Sequence, residues 1–410
     1  MVLAACFLAL LVHLTLERVR LVRARARVPV RVAVAGTRGK SSVARLIAAG
    51  LRESGVRVLA KTTGSRPVLI FPDGKEREIA RAGTPSVREQ VRLVSLAARE
   101  RAEALVVETM SIGEECLRAE AGAILKPRLL ALTNARPDHL EAMGGDGETV
   151  ARALTAAFVE NAEILLPAEE GRSVFEDAAK SVGARFVPVA RDSGDAVPPD
   201  FAERFPTEFE PNIRLSLAAL RALGVARDMA LRGMARSVPD FGSLRIWEIG
   251  LGTPRRRAFC VSAFAANEPE SSVMAIAKAR AMIGLIWAPS PEIPAEAKAS
   301  LVGLLCLRED RGDRTVQWVR AAASGFFDDF ERVILAGGPA QAAARSLRRR
   351  HARGQSKFMS IRSFDPAAVM DEAVRAASGG PVIIIGLGNI VGAGERFVRH
   401  WQETGRPHGH

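Results

Sequence analysis

One stretch constrains this chain more than any other: "VAVAGTRGKSSVARLIAAG", residues 32 to 50. An apolar strand runs into a glycine-bearing turn, and the turn runs straight into a helix. A helix that begins this way offers free backbone N–H groups to an anion, and its dipole favours negative charge there. Lys40 adds a mobile cation, and Ser41 offers a hydroxyl to Mg²⁺. Gly36, Thr37, Arg38, Gly39, Lys40, Ser41 and Ser42 therefore read as a nucleotide phosphate site. The loop departs from the strict Walker spacing, because Val34 stands where a first glycine is expected.

The alternation continues downstream. "VRVLAKT", "ALVVETM" and "RLLALTN" are short apolar strands that end in polar residues. "PVLIFPDGKEREIA" predicts a hairpin, with Pro72, Asp73 and Gly74 supplying the turn. Ser86 and Glu89 predict a capping box that opens a helix running to about Arg101. Strands alternating with helices predict a parallel sheet, whose ligands sit at the carboxyl ends of its strands. Two strand ends carry chemistry. Glu108, in "LVVETMS", is placed to hold Mg²⁺ directly or through water. Asn134, Asp138, His139 and Glu141 follow another buried strand in "LTNARPDHLEAMG", and the His139 imidazole is a candidate metal ligand.

A proline-bearing stretch near 187 to 212 breaks the pattern. A helix over 212 to 223 and another ending near Arg236 follow, and "VPDFGSLR" (238 to 245) reads as a junction. A second alternating set has strands near 257 to 262, 301 to 307, 332 to 337, 357 to 361 and 381 to 386. The fold class is α/β: a central P-loop ATPase domain with a mostly parallel sheet, and a smaller C-terminal Rossmann-like domain. The expected division is 1–29 (membrane anchor and basic flank), 30–240 and 241–410.

The first sixteen residues, "MVLAACFLALLVHLTL", carry no formal charge, and arginines at 18, 20, 23, 25, 27 and 31 follow them. A basic flank after the apolar run predicts a single N-terminal anchor in the cell membrane, with the rest of the chain facing the cytoplasm. Net charge is +12, but only 5% of residues are aromatic and tyrosine is absent. Basic residues beyond the N-terminus mix with acids, so nucleic acid is not an expected partner. Cys6, Cys116, Cys260 and Cys306 lie too far apart for a zinc pattern and read as free thiols.

Taken together, these motifs resemble the Mur ligase superfamily. Its loop reads GTNGK(T/S), here Gly36 to Ser41, and also lacks the first Walker glycine. "LTNARPDHLEAMG" resembles its strand-end DH motif, "EPNIRLSLAALRALG" its asparagine-bearing helix near the adenine, and "PDFGSLR" its domain-junction arginine. The closer resemblance is to the ligase-subunit branch of poly-γ-glutamate synthases. It rests on the anchor, "KTTG" (61 to 64), the pair Glu89-Gln90, "SAFAANEPESS" (262 to 272), "CLREDRGDRT" (306 to 315) and "GLGNIVGA" (386 to 393). Three features depart from the pattern. Arg38 stands where the Mur loop commonly has asparagine, no lysine lies between Glu141 and Lys180, where many Mur ligases carry a carboxylated lysine, and Glu268 stands where aspartate is expected.

The resemblance implies an ATP-dependent acid–amino-acid ligase that extends poly-γ-glutamate with glutamate, using ATP and Mg²⁺. Lys40, Glu108 and His139 would be catalytic; Ser41, Glu108 and His139 would hold metal. Asn212 and Arg245 would join the loop in binding nucleotide. Asn267, Asp310, Asp313, Arg314 and Asn389 would meet the incoming glutamate. Small integral membrane subunits would be partners. Two alternatives remain: another Mur-type amino-acid ligase such as a folylpolyglutamate synthase, and a membrane-tethered P-loop NTPase switch.

Overall fold

The computed structural model describes residues 1–408 except 65, 82, 84, 112, 137–146, 206, 252–255, 287–298, 351–356, 362–364 and 378–380. The chain divides into two compact units, Met1–Ala202 with Phe209–Asp240, and Glu203–Glu208 with Phe241–His410.

The first unit is built on β1 (Val30–Ala35), β2 (Val58–Thr62), β3 (Val68–Ile70), β4 (Glu76–Glu78), β5 (Ala104–Glu108), β6 (Leu129–Leu132), β7 (Glu163–Pro167) and β8 (Arg185–Val189). Their order across the sheet is β4-β3-β2-β5-β1-β6-β7-β8. All pairings are parallel except those of the β3–β4 hairpin and its contact with β2. β1 lies between β5 and β6. Strands β2, β5 and β6 are buried throughout, which is why they read as apolar runs and not as alternating patterns.

Helix α1 (Val2–Arg27) precedes the sheet, α2 (Lys40–Glu53) follows the loop after β1, and α3 (Arg88–Arg99) leads into β5. At about 1.5 Å per residue, α1 is about 39 Å long, enough to cross a hydrocarbon layer of about 30 Å. Leu3, Phe7, Leu8, Leu11 and Leu14 are exposed along it. Its far end is different. Ala24 and Val28 belong to the core, and Leu21 packs against it. Arg25 donates to the carbonyls of Ala123 (2.8 Å) and Ile124 (3.3 Å) at the end of the helical turn Ala119–Leu125. Arg31 donates to the next two, Leu125 (2.8 Å) and Lys126 (3.1 Å).

The second unit holds β9 (Arg245–Leu251), β10 (Arg256–Ser262), β11 (Ser300–Cys306), β12 (Arg332–Ala336), β13 (Phe358–Ser360), β14 (Val382–Gly388) and β15 (Arg406–His408), ordered β13-β12-β11-β14-β10-β9-β15. β10 to β14 pair in parallel, while β9 and β15 add an antiparallel edge. Trp247, Phe264, Phe397 and Trp401 pack on one face and Trp318, Phe327 and Phe358 on the other.

One expected detail does not form. Ser86 and Glu89 make no capping box: Ser86 Oγ accepts from the Arg88 N–H (3.3 Å), and the Glu89 carboxylate turns to Lys61 (3.0 Å) and Arg81 (2.8 Å). A buried ammonium needs a counter-charge more than a helix end needs a second cap.

Candidate nucleotide and metal site

Register places the site. β1 pairs with β5 so that Val34 lies opposite Glu108, and with β6 so that Ala35 lies opposite Leu132. The loop leaving β1 therefore starts between Glu108 on one side and Thr133-Asn134 on the other, at the carboxyl ends of three parallel strands.

Asn134 clamps the loop. Its Oδ1 accepts from Thr37 Oγ1 (2.7 Å) and the Arg38 N–H (3.0 Å), and its Nδ2 donates to the Arg38 carbonyl (3.0 Å). The Arg136 N–H donates to Thr37 Oγ1 (3.1 Å), so that hydroxyl is fixed from both sides. Gly39 caps α2 at φ 80°, and a Cβ there would stand 2.5 Å from Asn212 Oδ1. Asn212, on the helix Glu210–Ala222, thus lies directly against the loop. Lys40 curls back, with Nζ donating to the carbonyls of Gly36 (2.8 Å) and Thr37 (3.3 Å).

On the other side, Ser41 Oγ donates to Glu108 Oε2 (2.8 Å), and the Thr63 N–H donates to the same oxygen (2.6 Å). Both bonds fall on Oε2; among the described residues, none falls on Oε1. Gly64 closes this corner: a Cβ there would lie 2.4 Å from Ser41 Oγ and 3.3 Å from Asp240 Oδ2. Arg45, one turn beyond Ser41, is buried and pairs with Glu76, with its Nε 3.7 Å from Asp240. A hydroxyl and a carboxylate in contact, on a rigid strand end beside a helix N-terminus, fit a hard divalent cation that prefers oxygen. Ser42 lies half-buried in the same first turn of α2. Asp138, His139 and Glu141 lie outside the described residues.

In the second unit, the strand ends bring some of the expected residues together. Arg314 Nη1 donates to Asn389 Oδ1 (2.9 Å), and Asn389 Nδ2 donates to the Cys306 carbonyl (3.3 Å). Asn267, at φ 51°, accepts from Trp318 Nε1 through its carbonyl (3.2 Å), one turn along the helix from Arg314. Asp310 and Asp313 pair locally instead, with Arg308 (2.8 Å) and Arg311 (3.5 Å). Arg308 holds the exposed Asp310 carboxyl below its ordinary range. Arg245 opens β9, opposite Ser262 of β10. Asn134 is among the strand-end residues read from sequence, whereas Thr63 and Asp240 are not. "KTTG" at a strand end and "PDFG" at the junction are the signals that mark these two.

Comparison with known proteins matches two separate stretches of the chain. Residues 34–183 match the Mur ligase middle domain. Residues 249–404 match the poly-gamma-glutamate synthase CapB C-terminal domain. The capsule biosynthesis protein CapB of Bacillus anthracis is 28% identical over 374 residues, covering 90% of this chain and 76% of that protein. PGA synthase CapB of Bacillus subtilis (strain 168) is 29% identical over 293 residues, covering 71% of this chain and 70% of that protein. Among solved structures, a bifunctional folylpolyglutamate synthase/dihydrofolate synthase with Mn, AMPPNP and L-glutamate bound aligns with TM-score 0.60 at 15% identity, covering 94% of this chain and 93% of that one. That last likeness is one of fold. The chain thus carries a match to a Mur ligase middle domain followed by a match to a CapB-type C-terminal domain, and it is similar to CapB proteins over most of its length.

Proposed function

We propose that this protein is an ATP-dependent amide ligase that lengthens poly-γ-glutamate. The observation that carries the reading is the match of residues 249–404 to the CapB C-terminal domain, on a chain whose other half holds a phosphate loop against Glu108. Named relatives make capsule or PGA, and a structural neighbour binds Mn, a nucleotide and L-glutamate. Residues 30–240 would bind nucleotide, and 241–410 would present glutamate.

ATP supplies the activation: a γ-carboxylate oxygen attacks the γ-phosphorus, ADP leaves, and the amine of glutamate displaces phosphate to give the amide. The protein's part is positioning and charge neutralisation. Loop N–H groups, Lys40 and Arg38 would hold the phosphates. Ser41 and Glu108 would hold Mg²⁺, with His139 at a second ion, and Asn212 and Arg245 would contact the nucleotide. Arg314 and Asn389 are paired and buried, and would orient the incoming glutamate with Asn267; Asp310 and Asp313 are more peripheral candidates. Helix α1 would anchor the chain in the cell membrane, facing the cytoplasm beside small membrane subunits. A folylpolyglutamate synthase role is less favoured, since neither α1 nor the CapB-type domain calls for a folate.

The test uses the full chain in nanodiscs with ATP and Mg²⁺. ADP release should require glutamate, and mass spectrometry should find γ-linked product. Turnover indifferent to glutamate would refute the ligase reading and favour an NTPase switch.

A further inference from the structure

We propose that Lys61 is a positioning residue for Glu108, acting through Gln90 and Glu120 on the backbone that follows Glu108. The proposal rests on the reading of Ser41 and Glu108 as metal ligands.

Lys61 lies near the end of β2, opposite Val107 of β5, and is 1% exposed. Its Nζ reaches Glu89 Oε2 (3.0 Å), Gln90 Oε1 (3.1 Å) and Met110 Sδ (3.5 Å). An ammonium has three donors, and these contacts occupy all three. A buried ammonium is costly, and an apolar side chain of similar volume often serves stability as well or better. Stability alone therefore does not account for a lysine here.

The hydrogen-bond polarity suggests what it does. With its Oε1 taken by Lys61, the Gln90 amide must point Nε2 at Glu120, and it donates to Glu120 Oε1. Glu120 is fully buried, so its carboxylate is held in one orientation. Its Oε1 accepts from the Met110 N–H (3.3 Å) and its Oε2 from the Ser111 N–H (3.1 Å). Those two N–H groups lie two and three residues beyond Glu108. On the other side, Thr63 lies two residues beyond Lys61 and donates its N–H to Glu108 Oε2 (2.6 Å). Glu108 is thus held by the strand that carries Lys61 and by a loop that Lys61 orders. Without the ammonium, the Gln90 Oε1 end loses its anchor, so the amide that orients Glu120 is held at one end only and the tether on the loop loosens.

The test measures Mn²⁺ binding to the full chain in detergent with ADP, from the electron paramagnetic resonance of free Mn²⁺. Lys61→Met and Gln90→Leu should each weaken Mn²⁺ at least tenfold. Affinity for a fluorescent ADP analogue in EDTA should stay within twofold, a split that a general loss of structure would not produce. Mn²⁺ binding within twofold of wild type in a folded variant overturns the proposal, as does a parallel fall in both affinities. If Lys61→Met does not fold, Gln90→Leu, which keeps the Lys61–Glu89 pair, decides by the same criteria. Glu108→Gln separates the two readings: if it retains Mn²⁺, the metal assignment itself fails. If it loses Mn²⁺ while Lys61→Met and Gln90→Leu retain it, only the positioning role fails.

Discussion

Ser41 Oγ and Glu108 Oε2 are 2.8 Å apart although 67 residues separate them in sequence. One lies in the first turn of a helix, and the other ends the strand next to the one from which that helix's loop leaves. The contact joins the two groups that a cation between phosphate and protein would need.

Replacing either should therefore abolish metal use without unfolding the chain. Ser41→Ala and Glu108→Gln are expected to lower kcat on the order of 10²-fold or more. Melting temperature should change little, because the bond lies at a strand end and not in the core. Glutamate-dependent ADP release across a Mg²⁺ titration, with circular dichroism melts, checks both statements.

Arg314 and Asn389 should govern glutamate and not nucleotide. Lysine cannot reproduce the planar fork of arginine, so Arg314→Lys should raise KM for glutamate at least tenfold. Nucleotide affinity should stay within twofold. Initial rates at varied glutamate and varied ATP separate the two. An equal rise in both constants would assign Arg314 to structure.

Glu89 predicts an acid limb in stability. Burial works to raise its pKa, but hydrogen bonds from Arg81 and Lys61 outweigh that and hold it below the ordinary value. The folded state therefore binds fewer protons than the unfolded one as acid is added. This contribution is present in full above the unfolded pKa and is lost as pH falls through the folded one. Melting temperature should drop from about pH 5 downward, and Glu89→Gln should be less stable at pH 7 with a shallower acid limb. Thermal melts between pH 3.5 and 7, ~0.5 unit apart, provide the comparison.

The thiols should divide by location. Cys116 is exposed, while Cys260 and Cys306 are buried, and burial pushes both of their thiols far up. N-Ethylmaleimide on native protein should modify Cys116 and spare Cys260 and Cys306 until denaturant is added. Peptide mass spectrometry reads the pattern, and early modification of Cys306 would contradict the packing of β11.

The loop was legible because everything that defines it is local: strand, glycines, lysine and helix occupy one continuous stretch. Glu108 was legible for a similar reason, as the one acid at the end of an apolar strand. Strands β7 and β8 went unremarked, and so did β9 and β15. β15 is a three-residue run, Arg406–His408, that exists only because β9 offers it an edge. The Lys61 network was opaque because its members come from β2, the start of α3 and the turn at Glu120. Only the folded chain shows that "KTTG" and the Glu89-Gln90 pair belong to one buried cluster, and the same cluster diverts Glu89 from the capping role its spacing predicts.

Helix α1 contains neither glycine nor proline from Val2 to Arg27, and its last turns are part of the first unit's core. It therefore has no glycine or proline hinge between its exposed apolar length and the folded body. If α1 enters a bilayer as proposed, its tilt would be passed to the sheet as by a lever, not absorbed as by a tether. Trimming the chain at Val28 to make a soluble protein would remove Leu21, Ala24 and Arg25 along with the span. A cut between Leu16 and Leu21 separates what lipid would solvate from what the fold requires.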